Sequence, residues 1–577
     1  MSANNELRQR LRDHHRIDEA TVVEKLIARA RFSHSEQQGI RERATPLVQT
    51  VRDSRLKTGG IDAFLATYDL SSREGVVLMC LAEALLRIPD AATVDRLIRD
   101  KIGSTEWERR LGESHSTFVN AGTWALMLTG RIVNLDNDDR NLSGTFKRLL
   151  VRAGEPVIRQ AVITAMRILG KQFVMGRSIN EALERARSAE KAGYRHSYDM
   201  LGEAARSSAD ALRYFQSYST AIAAIGDAAA GRPAFAAPSI SIKLSALHPR
   251  YEVANEERVR QELLPAVKAL AVQAKARNIG FTIDAEEADR LEISLDLIEA
   301  LATDHELAGW NGLGLAVQAY QKRALPVLDW LADLAHRADR RLMVRLCKGA
   351  YWDAEIKLAQ ERGLADYPVF TRKASSDLSY LACARRLFAD PQAFYPAFAT
   401  HNAHTLAAVA EIAISAGGSD EWEYQRLHGM GEELYDQIVG DDKWGRACRV
   451  YAPVGSHEDL LAYLVRRLLE NGANSSFVNR IADADLPIDA LIADPVEKVA
   501  ALAAKRQTRI PLPRDLFGAE RANSEGLDMS DKPTLESLRS AIAQSASVSY
   551  VAAPLIDGKS RGGVSRPVRS PADQREV

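Results

Sequence analysis

Apolar residues recur along this chain in two different periods, and the change from one to the other divides it. Up to about residue 170 the spacing is helical. Val22, Val23, Leu26, Ile27 and Ala30 set one amphipathic face, and GVVLMCLAEALLRI, starting at Gly75, sets a buried one. From about residue 195, short apolar runs alternate with helical segments. The runs are RHSYDML (195–201), SISIKLSA (239–246), GFTIDAE (280–286), LGLAVQA (313–319), LMVRLCK (342–348), FYPAFAT (394–400), YQRLHG (424–429) and CRVYAP (448–453). Eight such runs with helices between them predict a (β/α)8 barrel with a nearly continuous parallel core. Residues 486–545 read as helical and polar, and 557–577 as a linker rich in Gly, Ser, Pro and Arg.

The polar residues fall in a pattern of their own. Glu203 lies just past the first run, Lys243 in the second, Asp284 in the third and Gln318 near the end of the fourth. Arg345 and Lys348 mark the fifth, Thr400-His401-Asn402 the sixth, Gln425 and His428 the seventh, and Tyr451 the eighth. Active sites of such barrels lie at the carboxyl ends of the strands. Any one of these residues is ordinarily a satisfied structural group, but the pattern on all eight runs predicts a large polar site. Beyond it, LLAYLVRRLLENG (460–472) reads as a helix between a Ser456/Asp459 capping box and an Asn471-Gly472 stop. Leu461, Leu464, Val465, Leu468 and Leu469 form its buried face; Tyr463, Arg466, Arg467 and Glu470 form a second. Taken alone, that second face is simply solvated.

Composition narrows the classes. At 577 residues the chain exceeds one ordinary domain, and 46% apolar with 27% charged residues describes a soluble globular protein. A net charge of -1 gives no sign of a nucleic-acid partner. Cys80, Cys347, Cys383 and Cys448 are far apart and lack metal spacing, which predicts free thiols in a reducing, cytoplasmic setting. The polar start is no secretory signal, and the longest apolar run, Val76 to Leu86, is too short to span a bilayer. Peripheral membrane contact stays open.

Three chemistries fit the ring of polar residues. A metal hydrolase would need ligand spacing; His401 and His404 in THNAHT suit a loop or helix start equally well, so no metal is expected. A Schiff-base enzyme would need a desolvated lysine, and Lys243 is placed for it, but a lysine near arginines equally suits a carboxylate. A flavin barrel would need no protein nucleophile; Arg345 would stabilise charge on a reduced ring and Trp352 would stack on it, although an aromatic in a helix is more often core.

SIKLSALHPRYE, FTIDAEEADRLEISLDLIE, VQAYQKRA, RLMVRLCKGAYWDAEIK, YPVFTRK, FATHNAHTLAA, YQRLHGMGE and the stretch CRVYAPVGSHEDLLAYLVRRLLENGANSSFVNRIAD resemble the proline dehydrogenase domain of the bacterial PutA proteins, over roughly residues 20–530. The resemblance implies a distorted (β/α)8 TIM barrel (175–525) preceded by a helical arm (1–52) and an all-helical domain (53–174). Residues 526–577 would be a linker and the start of an aldehyde dehydrogenase region that belongs to the full-length parent. It implies oxidation of L-proline to 1-pyrroline-5-carboxylate with non-covalent FAD, electrons passing to a membrane quinone at the inner face of the membrane. Arg466 and Arg467 with Lys243 would hold the proline carboxylate, paired to Glu203, while Tyr463, Tyr451, Leu427, Tyr351 and Asp284 would enclose the ring. Asp284, Gln318, Arg345, Lys348, Gly349, Ala350, Trp352, Thr371, Lys373, Thr400, His401, Asn402, Gln425, Leu427, Glu470, Ser476 and Phe477 would surround FAD. The family's DNA-binding members begin with a ribbon-helix-helix segment, which this sequence lacks, so no nucleic acid is expected. The alternatives are a flavin dehydrogenase of another cyclic amino acid such as hydroxyproline, and a DNA-binding regulator of proline use.

Overall fold

The computed structural model describes residues 3–55, 173–455, 463, 466–467, 477–481, 483, 485–546, 548 and 550–575. Nearly all of the expected helical domain at 53–174, Cys80, and most of the 460–472 helix with Glu470 and Ser476 lie outside the described residues.

Eight strands close into a parallel barrel: β1 (Tyr194–Met200), β2 (Ser239–Ile242), β3 (Gly280–Ile283), β4 (Leu313–Gln318), β5 (Leu342–Cys347), β6 (Phe394–Ala399), β7 (Glu423–Leu427) and β8 (Cys448–Val454). The seam is in register from Tyr194 opposite Cys448 to Met200 opposite Val454. The barrel expectation is thus borne out. Its strands read as unbroken apolar runs because helices cover the outer face: every position of LGLAVQ in β4 is buried. Local signals start the helices. Ser207 and Asp210 form a reciprocal capping box before Ser208–Ala229, and the Asn402 side chain accepts from the Thr405 N–H to begin Ala403–Ser415.

Three arm helices, α1 (Ala3–Asp13), α2 (Glu19–Ala30) and α3 (His34–Arg55), precede the barrel and pack on its outer helices. Arg8 lies 4.0 Å from the Trp330 ring centre, and the Trp330 indole donates to Asn4 Oδ1 at 2.7 Å. Glu19 is fully buried and accepts from both the N–H (3.1 Å) and the hydroxyl (2.8 Å) of Thr371. At the amino-terminal end of the barrel, Glu423 meets Arg449 through two bonds, 2.6 and 3.0 Å, and Arg195 at 3.1 Å. Arg449 also donates to the carbonyls of Ala237 (2.7 Å) and Phe235 (2.6 Å). That end of a barrel carries stability, and here a buried ion network ties β1, β7 and β8 to the segment before β2.

The expectation of a helical 486–545 needs correction. α-Helices cover only Ile488–Leu491, Pro495–Ala500 and Lys532–Ala546, with a single 3-10 turn at Pro513–Asp515. Between the last two the chain is largely irregular, because RIPLPRD sets Pro511 and Pro513 where a helix needs N–H donors and pushes the preceding residues toward extended backbone. This segment is nonetheless anchored: the Tyr367 hydroxyl donates to the Pro511 carbonyl at 2.7 Å, and Gln507 N–H to the Thr371 hydroxyl at 2.9 Å. The chain forms one compact unit to Gly526 and a second from Leu527, the latter made of the Lys532–Ala546 helix and a two-stranded hairpin, Leu555–Ile556 with Lys559–Ser560.

Glu355, in helix Trp352–Glu361, gives a first test of the packing. It is buried and accepts the Ala288 N–H at 2.6 Å; burial first, with Asp289 and Glu287 adding to it, pushes its carboxyl up to about 7. The folded state therefore holds this proton where the unfolded chain has lost it, so stability falls as pH rises from the ordinary carboxylate range to about 7. Glu355→Gln keeps the acceptor and removes the charge. It is expected to stabilise the protein above neutral pH by up to ~3 kcal/mol and to do nothing in acid. Denaturant midpoints at both ends of that range check it; equal shifts at both would refute the assignment.

Candidate active site

Along the barrel strands the inward side chains alternate, so polar groups at every second position converge. Ser197 and Asp199 come from β1, Ser241 from β2 with Lys243 just beyond it, Asp284 follows β3, and Arg345, Gln425 and Tyr451 come from β5, β7 and β8. Arg345 is buried and fully engaged. It donates from Nη1 to Asp284 Oδ1 at 2.6 Å, from Nε to Gln425 Oε1 at 2.7 Å, and from Nη2 to the hydroxyls of Ser241 (2.8 Å) and Ser197 (3.3 Å). Lys243 Nζ lies 2.7 Å from Asp199 Oδ2, 3.3 Å from Asp284 Oδ2 and 3.2 Å from the Tyr451 hydroxyl. That hydroxyl stands 2.6 Å from both Asp199 Oδ2 and Asp284 Oδ2. Below them Gln425 donates to Glu423 at 2.9 Å, so the site rests on the ion network beneath it.

Burial alone would neutralise these groups, and pairing decides which stay charged. For Lys243 burial pulls the pKa down, yet Asp199, Tyr451 and Asp284 outweigh it and hold the ammonium well above its ordinary value. For Asp284 burial pushes up, but Lys243 and Arg345 win and hold the carboxyl low. For Asp199 burial prevails and the carboxyl is raised.

The rim holds a second group. Arg466 donates from two nitrogens to the two oxygens of Glu203, both at 2.7 Å, and its guanidinium lies 5.2 Å from the Tyr351 ring centre. Burial raises the Glu203 carboxyl, but the bond to Arg466 outweighs it and holds it below the usual range. Arg467 is buried, 5.4 Å from the Tyr463 ring centre. Tyr463 packs with Leu201, Phe173, Val174 and Met430, and Leu427 and Tyr451 lie against them as an apolar wall. The barrel mouth thus combines cations with an apolar surface, a chemistry suited to a small ring that carries a carboxylate.

The residues that the resemblance places around a flavin take varied positions. Lys348 and Lys373 share Asp377, each at 2.6 Å, and Lys348 also donates to the Thr405 hydroxyl at 3.3 Å. Gly349 has φ of 125°, and a side chain there would collide with the Tyr320 ring, so only glycine fits before Ala350. His401 Nε2 accepts the Leu427 N–H at 3.1 Å, which fixes that nitrogen as the unprotonated one of the neutral ring. Gln318 Oε1 accepts from Gln321, and the Trp352 indole donates to the Phe370 carbonyl at 2.8 Å. Thr371 is held by Glu19, Asn402 serves as a helix cap, Thr400 accepts the Asn402 N–H on its hydroxyl, and Phe477 is buried. Among the described residues no group of three or more His, Cys, Asp or Glu is arranged to hold a metal ion, and no helix is long and apolar enough to cross a membrane.

Sequence reasoning passed over Asp199, Ser197, Ser241 and Glu423. The signal was the two-residue period: in RHSYDML, Ser197 and Asp199 share the inward parity, as Ser241 and Lys243 do in the next run.

Comparison with known proteins gives the chain a family. Residues 182–480, just over half the chain, match the family model described as proline dehydrogenase; 5–52 match the proline utilization A proline dehydrogenase N-terminal domain, and 60–173 the DNA-binding domain of proline dehydrogenase. The bifunctional protein PutA of Salmonella typhimurium is 53% identical over 97% of this chain and 43% of its own length; that of Escherichia coli is 52% identical over 98% and 44%. A crystal structure of bifunctional proline utilization A superposes with a TM-score of 0.73 at 47% identity, over 94% of this chain and 54% of that one. The chain thus spans less than half the length of these curated relatives. It belongs to the proline dehydrogenase family, where it is similar to the proline dehydrogenase region of the bifunctional PutA proteins.

Proposed function

We propose that this polypeptide oxidises L-proline to 1-pyrroline-5-carboxylate, using FAD and passing electrons to a quinone, in the cytoplasm at the inner face of the membrane. The observation that carries the reading is the meeting of Lys243, Arg345, Arg466 and Arg467 with the apolar wall of Leu427, Tyr451 and Tyr463. Arg466, Arg467 and Lys243 hold the substrate carboxylate, since guanidinium forks fix its orientation. The tyrosines and Leu427 press the ring against one face and exclude water, while Glu203 limits the cost of keeping Arg466 desolvated. The Lys348 and Lys373 pair, with one carboxylate between them, suits an anionic dinucleotide, and Arg345 and Gln425 suit its ring system. Flavin, when bound there, supplies a two-electron acceptor that no side chain provides. Purified protein should be yellow and should bleach on adding L-proline; a colourless protein with a stoichiometric metal would overturn the reading.

Carboxylate recognition has its own test. Arg466→Met removes a charge-assisted bond of ~1.5–3 kcal/mol and is expected to raise the KM for proline about 10- to 100-fold, with flavin content little changed. A KM near wild type would leave Arg466 as the partner of Glu203 and no ligand of the substrate. A second reading concerns DNA, because residues 60–173 match a model described as a DNA-binding domain. Salt-dependent retardation of duplex DNA by the whole chain would support it, and no retardation at low salt would remove it.

A further inference from the structure

The Tyr451 hydroxyl poses a proton count that two ionised carboxylates cannot meet. One phenolic proton stands between Asp199 Oδ2 and Asp284 Oδ2, 2.6 Å from each. If both carboxyls were anions, one would face only the lone pairs of the phenol oxygen. One of the two must therefore carry a proton and donate it to that oxygen. Asp284 is the anion, because its other oxygen accepts from Arg345 at 2.6 Å. Asp199 has no arginine partner and is 0% exposed; its Oδ2, the oxygen that meets Tyr451, also lies 2.7 Å from Lys243 Nζ and can accept from it while carrying the proton, whereas its Oδ1 is buried with no hydrogen-bond partner. An unpartnered oxygen is costly on a buried carboxylate and tolerable on a neutral carbonyl. The remaining titratable or charged groups that face it are Lys243 from beyond β2 and Tyr218 from helix Ser208–Ala229, whose hydroxyl accepts the Lys243 N–H at 3.1 Å. Burial acts on the Asp199 carboxyl in the same direction, upward.

We propose that Asp199 is a positioning residue that stands as a neutral carboxylic acid and donates to Tyr451. Tyr451 then donates to Asp284, so the three side chains form a directed chain from β1 through β8 to the end of β3. The consequence is electrostatic. With Asp199 neutral, Lys243 and Arg345 outnumber the single anion Asp284, and the base of the site keeps one positive charge. With Asp199 ionised the four groups would cancel, and the base of the site would add nothing to the attraction that the rim arginines exert on a substrate carboxylate. This last step rests on the proline dehydrogenase reading; the protonation of Asp199 does not.

Two measurements on the whole chain separate those claims. Infrared spectra of substrate-free protein at neutral pH should show a carboxylic-acid C=O stretch in wild type that is missing in Asp199→Asn. No such difference would overturn the proposal whatever the enzyme does. Binding of a saturated ring carboxylate that lacks the amine, followed by calorimetry, supplies the second. Asp199→Asn, which can still donate to Tyr451, is expected to weaken binding by about threefold or less, and Asp199→Ala by about tenfold or more. Equal losses in both would show that donation to Tyr451 is not what Asp199 supplies, tighter binding in both would show that it acts as an anion, and no change in either would show that it positions nothing; each overturns the proposal. If Asp199→Ala fails to fold, the infrared difference and the Asp199→Asn affinity still decide it. A wild-type protein that neither bleaches with proline nor binds the analogue would sink the functional reading, while the infrared result would still decide the state of Asp199.

Discussion

Arg345→Met is expected to lower proline-dependent dye reduction by about 100-fold or more while the protein stays folded. The guanidinium is a junction: it bonds Asp284, Gln425, Ser241 and Ser197, and lies 5.0 Å from the Tyr451 ring centre. Methionine fills much of that volume with no donor. Asp284 would then lose the partner that, after Lys243, does most to hold it ionised against burial. Two charge-assisted bonds at ~1.5–3 kcal/mol each correspond to at least two orders of magnitude in rate if both are used in the transition state. Arg345→Lys should recover little, because a point charge cannot reach Asp284 and Gln425 together. Turnover measured beside the thermal midpoint separates chemistry from folding; turnover within tenfold of wild type would make Arg345 a packing residue.

Glu423→Ala should act in the opposite way, on stability before activity. Glu423 is 0% exposed and Arg449 1%, so removing the carboxylate strands a buried guanidinium with only neutral acceptors, backbone carbonyls and the Ser239 hydroxyl. Breaking such a pair from one side costs about 3–5 kcal/mol. Burial raises the Glu423 carboxyl, but Arg449 outweighs it and holds the pKa low. The stability from the pair is therefore present above the ordinary carboxylate pKa and lost as pH falls through the lowered one. Denaturant midpoints at neutral pH and in acid should differ between wild type and variant mainly at neutral pH. A neutral-pH loss under about 1 kcal/mol would mean that water takes the place of the carboxylate.

What the sequence determined by itself was the architecture and the list of strands. The apolar runs marked all eight, because a parallel strand covered on both faces must be apolar nearly throughout. Polar residues inside or ending those runs pointed to one end of the barrel as a candidate site, since an unpaired polar group is not tolerated in such a core. Arg466 and Arg467 were legible only as one face of a helix, which water could equally have covered. The tertiary structure decided the partners. It alone set Glu203 against Arg466, separated in the chain by more than two hundred residues, and Glu19 of the arm against Thr371. It decided which carboxyl is the anion: Asp284 and Asp199 are the same residue type, near the ends of the first and third runs with β2 between them, and the arginine on β5 tells them apart. It also ended the helical reading of 486–545, where the prolines at 511 and 513 break a pattern that polarity suggested. Periodicity records how each side chain is buried, a local property of the strand or helix that bears it. Charge state depends on which groups the closed barrel brings within about 3 Å, and closure joins residues that no spacing along the chain connects.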